Sequence, residues 1–209
     1  MAPDRTEFSA AATDVDLTNG DQYVVDVIAE APSLRTNTQS SPPIVVDWTP
    51  ATGGSVKDGP GVTNGSEPCR SCVEDLQFTA NTTSLSSTWC CGFDDPESGV
   101  VAFHWTLSSS PYLRNDFNGS LLIPWRDVAL NKSAMAQGLI LEQGQTVYSC
   151  VRTLNGAGIV SEPSCSDGVT VDTTPPVNNF VYDGLSGQFD VDQQVYPNAL
   201  FGSWGFEDN

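Results

Sequence analysis

The chain has 209 residues, with eight Lys and Arg against 26 Asp and Glu, a formal charge of −18 and one histidine. This balance excludes docking on nucleic acid or on anionic membranes, because both need clustered cations. Disorder is opposed by 39% apolar residues and five Trp.

In chain order, the opening MAPDRTEFSAAATDVD lacks the apolar core of a secretory leader. No apolar run reaches the roughly 18 residues of a spanning helix. The first patterned element, Leu17-Thr-Asn-Gly20-Asp-Gln-Tyr23-Val-Val-Asp-Val27, returns as Leu141-Glu-Gln-Gly144-Gln-Thr-Val147-Tyr-Ser-Cys-Val151, offset by 124 (141 against 17). Next, VDWTPATGGSVKDG at 46–59 returns as VDTTPPVNNFVYDG at 171–184, offset by 125 (171 against 46) with seven of fourteen residues identical. Finally, Leu85-Ser-Ser-Thr-Trp89 returns as Leu200-Phe-Gly-Ser-Trp204, offset by 115 (200 against 85). Self-similarity of this kind marks tandem modules. It predicts the end of one module over 1–47, a complete module over 48–173 and the start of a third over 174–209. Both ends therefore read as cut within a module, as in a piece of a longer secreted chain.

Inside the complete module the expected strands are short and evenly spaced, and no segment keeps a helical period over three turns. Val73 to Thr79 and Leu85 to Trp89 read as early strands. Val100 to Leu107 alternates, placing His104 outward if Trp105 points inward. Leu121 to Leu141 is ambiguous, with a helical turn expected near 131–137. Thr146 to Thr153 and Gly168 to Val171 read as the last strand pair, with Asn155-Gly-Ala-Gly158 as a turn between them. About seven strands with polar turns predict an all-β, antiparallel two-sheet sandwich.

Six cysteines, Cys69, Cys72, Cys90, Cys91, Cys150 and Cys165, are confined to this module and read as disulfides formed in an oxidising compartment. Cys150 and Cys165 lie either side of a turn, so that pairing them staples a hairpin. The remaining four allow Cys69 and Cys72 to join Cys90 and Cys91 in either order, and the sequence does not choose among the 15 connectivities of six cysteines. Zinc is disfavoured, because Cys69-x-x-Cys72 has no second such pair and His104 is the lone histidine. A redox-active Cys69-x-x-Cys72 lacks cationic neighbours beyond Arg70. Sequons at Asn64, Asn81, Asn118 and Asn131 predict N-glycosylation and agree with secretion.

Several of these motifs together carry a resemblance. Leu-x-x-Gly-x-x-Tyr-x-x-x-Val resembles the penultimate strand of fibronectin type III-like domains, and Trp89 and Trp204 fit their second strand. The set Phe-Asp-Asp-Pro-Glu-Ser-Gly (93–99), Phe-His-Trp (103–105), Asn-Gly-Ala-Gly (155–158) and Ser-Asp-Gly-Val-Thr-Val-Asp-Thr-Thr-Pro-Pro (166–176) is similar to repeats of large extracellular proteins. Those proteins occur in algae, other protists and invertebrates, and include cell-surface and flagellar-filament (mastigoneme-type) components. The resemblance covers essentially the whole chain. It implies tandem fibronectin type III-like or immunoglobulin-like β-sandwiches at the cell surface. There are departures: Val147 stands where a tyrosine corner places Tyr, Trp48 replaces an expected Thr, and extra length falls in 61–74 and 111–138.

The function expected is structural and adhesive. The chain reads as a glycosylated spacer or filament segment whose partners are neighbouring modules of the same or similar chains and other extracellular glycoproteins. Pro175 and Pro176 restrict the joint between modules. The alternative is a ligand- or carbohydrate-binding ectodomain module, with Trp125 after Pro124 as the stacking candidate. Adjacent Asp94 and Asp95 lack the opposed placement, about 5–9 Å apart, of a hydrolytic pair. With no triad or phosphate loop present, the chain does not read as an enzyme. No cofactor is expected beyond calcium, whose candidate ligands are Asp47, Asp58, Asp172 and Asp183 beside the two joints.

Overall fold

The computed structural model describes residues 8–60, 75–111, 120–184, 190, 192–193 and 195–208, and these are essentially all-β. In the N-terminal region, β1 (Gln22–Tyr23) pairs with β4 (Ile44–Val45), and between them β2 (Asp26–Glu30) pairs with β3 (Thr36–Ser40). The central region follows as β5 (Val56–Asp58), β6 (Phe78–Thr79), β7 (Ser84–Trp89), β8 (Val100–Ser108), β9 (Arg126–Asp127), β10 (Ser133–Gln137), β11 (Thr146–Asn155), β12 (Ser164–Cys165) and β13 (Val169–Val171). Last come β14 (Val177–Asp183) and β15 (Gly202–Glu207), paired antiparallel.

Two sheets make the central region. One has the order β10-β7-β5, and the other β6-β13-β11-β8-β9 with β12 on β11. Their sequences alternate as half-buried strands do. On β7, Leu85, Ser87 and Trp89 are buried while Ser86 and Thr88 are not; on β11, Val147, Ser149, Val151 and Thr153 are buried. Both sheets feed one apolar cluster. Trp89 and Leu85 from the smaller sheet share it with Phe103, Trp105, Leu107, Val147, Val151 and Val171 from the larger. The Trp89 and Phe103 rings lie 5.9 Å apart and tilted, and Phe93 meets Phe103 edge-on at 5.5 Å. Trp105 is buried and His104 half-buried.

Two expectations are corrected. The segment 131–137 is not a helical turn. Ser133–Gln137 forms β10, paired along its whole length with β7, with Ala136 buried and Ser133, Met135 and Gln137 exposed. Its helix-favouring residues are overridden by the burial that the pairing offers. The sheets are also not wholly antiparallel, because β6 runs parallel to β13, with Phe78 opposite Thr170. The chain between these two parallel neighbours is long and passes through β7 and β10 of the other sheet.

The sequence repeat is also a repeat of hydrogen bonding. Gly20 and Gly144 both have positive φ, 83° and 76°, which glycine adopts without steric cost. Gly20 N donates to Val46 O at 2.7 Å, and Gly144 N to Val171 O at 2.8 Å. Gln22 faces Val45 and Tyr23 faces Ile44, as Thr146 faces Thr170 and Val147 faces Val169. The Asp26–Ser40 pair has the register of Cys150–Cys165. At the other end, Val181 faces Trp204 as Val56 faces Trp89.

Candidate functional site

The joints between repeats hold a set of side-chain hydrogen bonds to backbone. At each, an aspartate side chain caps the turn that follows it, as Asp does in local Asx motifs. Asp47 Oδ1 accepts from Thr49 N at 2.9 Å, and Asp172 Oδ1 accepts from Thr174 N at 3.0 Å. A side-chain amide from the preceding glycine turn clips each joint in place. Asn19 Oδ1 accepts from Trp48 N at 2.9 Å, and Gln143 Oε1 from Thr173 N at 2.6 Å. The same amides donate to Thr49 Oγ1 and Thr174 Oγ1 at 3.2 and 3.4 Å. The hydrogen bonds from Gln143 and Thr174 hold the Asp172 carboxyl below its ordinary value.

Among the described residues, only the first joint is also docked on the region that follows it. Ser98 Oγ donates to Asp47 Oδ2 at 2.5 Å. Asn155, 1% exposed, donates through Nδ2 to Asp47 Oδ2 at 2.8 Å, Thr49 O at 2.9 Å and Asp95 Oδ2 at 3.1 Å. Asn19 reaches Glu97 Oε1 at 3.0 Å. Asp95 is buried, which acts to raise its carboxyl, but donors from Ser98, Asn155 and Gly99 outweigh this and hold it low. Asp95 thus caps backbone amides as expected of a turn aspartate, yet from a buried position. Asp47, Asp95 and Glu97 lie close enough to share a cation, but each already accepts the hydrogen bonds given above.

A second acidic group differs in this respect. Asp58 at the end of β5, Asp75 before β6 and Asp167 before β13 each offer an oxygen within 4.8 Å of the others. Asp58 is 2% exposed, and neither of its carboxylate oxygens has a donor in ordinary hydrogen-bond geometry. The flanking Ser149 hydroxyl pairs with that of Ser87, and Ser166 Oγ accepts from Ser149 N at 2.9 Å. Burial pushes the Asp58 carboxyl up to about 6; the Ser166 and Ser149 hydroxyls pull it partly back, and the charges of Asp75 and Asp167 add to the rise. Asp75 Oδ1 accepts from Asp58 N at 2.8 Å, and Lys57 Nζ meets Asp75 Oδ2 at 2.7 Å.

The four aspartates expected to hold calcium are therefore distributed differently. Asp47 and Asp58 fall in two separate acidic groups. Asp172 serves its own joint, and among the described residues neither it nor Asp183 belongs to a group of three. Trp125 is half-buried and its ring lies under the Arg152 guanidinium, 4.4 Å from the centroid, a cation–π contact. It borders an open recess with Leu121, Leu122, Ile123 and Pro124. Cys150 and Cys165 form a disulfide across β11 and β12. Cys90 is disulfide-bonded, and Cys91 O accepts from Ser55 N at 2.8 Å. Asn81 and Asn131 are exposed. Cys69, Cys72, Asn64 and Asn118 lie outside the described residues.

The residues that sequence reasoning missed are Asn19 and Gln143, the bridging Asn155, and Asp75 with Asp167. Asn19 and Gln143 could have been found, since both are side-chain amides at one position of the 124-residue offset. No family model matches the sequence, and no curated protein matches it either.

Proposed function

We propose that this chain is a structural segment of a long, glycosylated extracellular repeat protein. In this reading it is built from tandem fibronectin type III-like β-sandwiches and serves as a spacer or filament through module–module contacts. The observation that carries the reading is the recurrence of one joint, with the same aspartate cap and the same amide clip at Asp47 and at Asp172. A joint specified down to its side chains suits a chain whose task is to set the geometry between successive units. Further support comes from Tyr23, whose hydroxyl accepts from Thr18 N at 2.9 Å, the arrangement of a tyrosine corner. The strand order β10-β7-β5 against β9-β8-β11-β13 suits the same fold, and the disulfides suit an oxidising compartment. Among the described residues, no helix is long and apolar enough to cross a membrane.

The carbohydrate-binding alternative has less behind it. Trp125 borders a recess, but one face of its ring is taken by Arg152. Electron micrographs of the native assembly, labelled with an antibody raised against residues 48–173, test the main reading. Labels at regular intervals along filaments are expected. Label confined to isolated globular particles, or a glycan-array signal abolished by Trp125→Ala, would overturn it.

A further inference from the structure

We propose that Asp58, Asp75 and Asp167 bind a single hard divalent cation of calcium's size at the end of the central region where β5, β6 and β13 meet. The inference stands on this geometry alone and does not depend on the filament reading. Three carboxylates from separate parts of the chain converge, each with an oxygen within 4.8 Å of the others. Calcium takes oxygen ligands at about 2.3–2.6 Å, so two oxygens sharing one ion sit roughly 3–5 Å apart. The three carboxylates meet that spacing without rearrangement.

Convergence alone would not suffice, since the Asp47, Asp95 and Glu97 group converges as closely. What separates the two is Asp58. It is buried, and neither of its oxygens has a donor in ordinary hydrogen-bond geometry; only the nearby Ser166 and Ser149 hydroxyls favour its charge. A buried carboxylate without a partner is costly, and natural proteins pair such groups or give them a metal. Lys57 does not fill the need, because its ammonium contacts Asp75 Oδ2 and not Asp58. The Asp75 side chain is instead held in position from both ends, by Asp58 N on Oδ1 and by Lys57 on Oδ2. Gln77 Nε2 fixes Asp167 through Oδ2 at 3.3 Å. Two of the carboxylates are thus oriented by neighbours, while the buried third has no donor in ordinary hydrogen-bond geometry.

Half of the device is also built a second time. Asp183 faces Gly202 as Asp58 faces Ser87. Asp190 Oδ1 accepts from Asp183 N at 2.9 Å, as Asp75 accepts from Asp58 N. The copies Asp183 and Asp190 are exposed, so the buried charge belongs to the central region.

The test uses the full 209-residue chain, stripped with chelator and titrated with calcium chloride while binding heat and thermal unfolding are followed. One saturable site and a midpoint that rises with calcium are expected. Asp167→Asn, at an exposed position, should keep the fold and weaken binding at least about tenfold. Asp58→Asn should abolish the response and, without calcium, unfold no earlier than the unmodified chain, because it removes an unpaired buried charge. No saturable heat and no midpoint shift up to about 10 mM calcium, roughly tenfold above the weakest extracellular sites, would overturn the proposal. So would calcium binding that survives both substitutions unchanged.

Discussion

The β5–β7 pair and the β14–β15 pair are two copies of one strand arrangement placed in opposite surroundings. Their register is the same, with Val56 opposite Trp89 and Val181 opposite Trp204. Their burial is not: Trp89 is 1% exposed and Trp204 is 67% exposed. Trp89 meets Phe103 from the facing sheet, whereas β14 and β15 form a sheet of two, with every residue of β14 exposed. Register is therefore a local property, fixed by the joint, the glycine turns and the ladder. Burial is conferred by a second sheet. The N-terminal strands teach the same lesson, since β2 and β3 keep the register of β11 and β12 and are exposed throughout.

Truncating the two tryptophans should break the symmetry most sharply. Trp89→Ala should cost about 3–5 kcal/mol by denaturant unfolding of the central region, as removal of a large core aromatic does. Trp204→Ala should change that transition by less than about 0.5 kcal/mol. Equal effects would mean that β14–β15 packs on the central region in solution.

The next contrast sets a covalent tie against a hydrogen bond at one register position. Cys150 and Cys165 are bonded, whereas Ser40 Oγ donates to Asp26 Oδ1. Replacing both cysteines by alanine releases a tie across a sequence separation of 15 and should cost about 3 kcal/mol. Asp26→Ala, at an exposed site, should cost under about 1 kcal/mol. Unfolding the chain with and without reductant checks the first value, and a denaturant series on the variant checks the second.

A third contrast separates the acidic groups by pH. The folded Asp58 carboxyl sits at about 6 against an ordinary 3.8, so the native state takes up its proton first as pH falls. In chelator-treated protein, this group's contribution to stability should be complete below about pH 4 and lost as pH rises through 6. The difference is on the order of 3 kcal/mol. Asp95 and Asp172 are held low, so theirs is present above the ordinary carboxylate value and lost in acid. Unfolding midpoints over pH 4–7 should fall with rising pH in the parent and stay flatter in Asp58→Asn.

The smallest effect tests the joints. Gln143→Ala should cost about 1 kcal/mol or less locally and speed amide exchange at Thr173 and Thr174. Asn19→Ala should act less on Trp48 and Thr49, because Asn155 holds Thr49 O independently. Equal acceleration at both joints would remove the distinction between a docked and an undocked joint.

Much of this organisation is legible in the sequence, because the repeats carry their turn chemistry with them. Gly20 and Gly144, Asp47 and Asp172, and Trp89 and Trp204 stand at fixed offsets, and each fixes a backbone event or a register. The period-two strands β7, β8 and β11 are legible for the same reason. The two-residue strand β6 is not, because so short a segment has no pattern to show its parallel partner. Ser133–Gln137 misleads because its intrinsic preference opposes its place in the sheet. Asp75 is hidden by a shift in offset: it matches Asp190 at 115 (190 less 75), whereas Asp58 matches Asp183 at 125 (183 less 58). Asn155 bridges groups 108 and 60 residues away in the chain, and no local pattern encodes that convergence.

The Asp58–Asp75 hydrogen bond also bears on loop length. It closes a span of 17 residues, whereas its counterpart from Asp183 to Asp190 closes a span of seven. By loop-closure entropy, widening the span from seven to 17 costs only about 0.8 kcal/mol, well within what one good core contact returns. The same aspartate-to-amide hydrogen bond is thus made across spans of different length, at a small entropic difference.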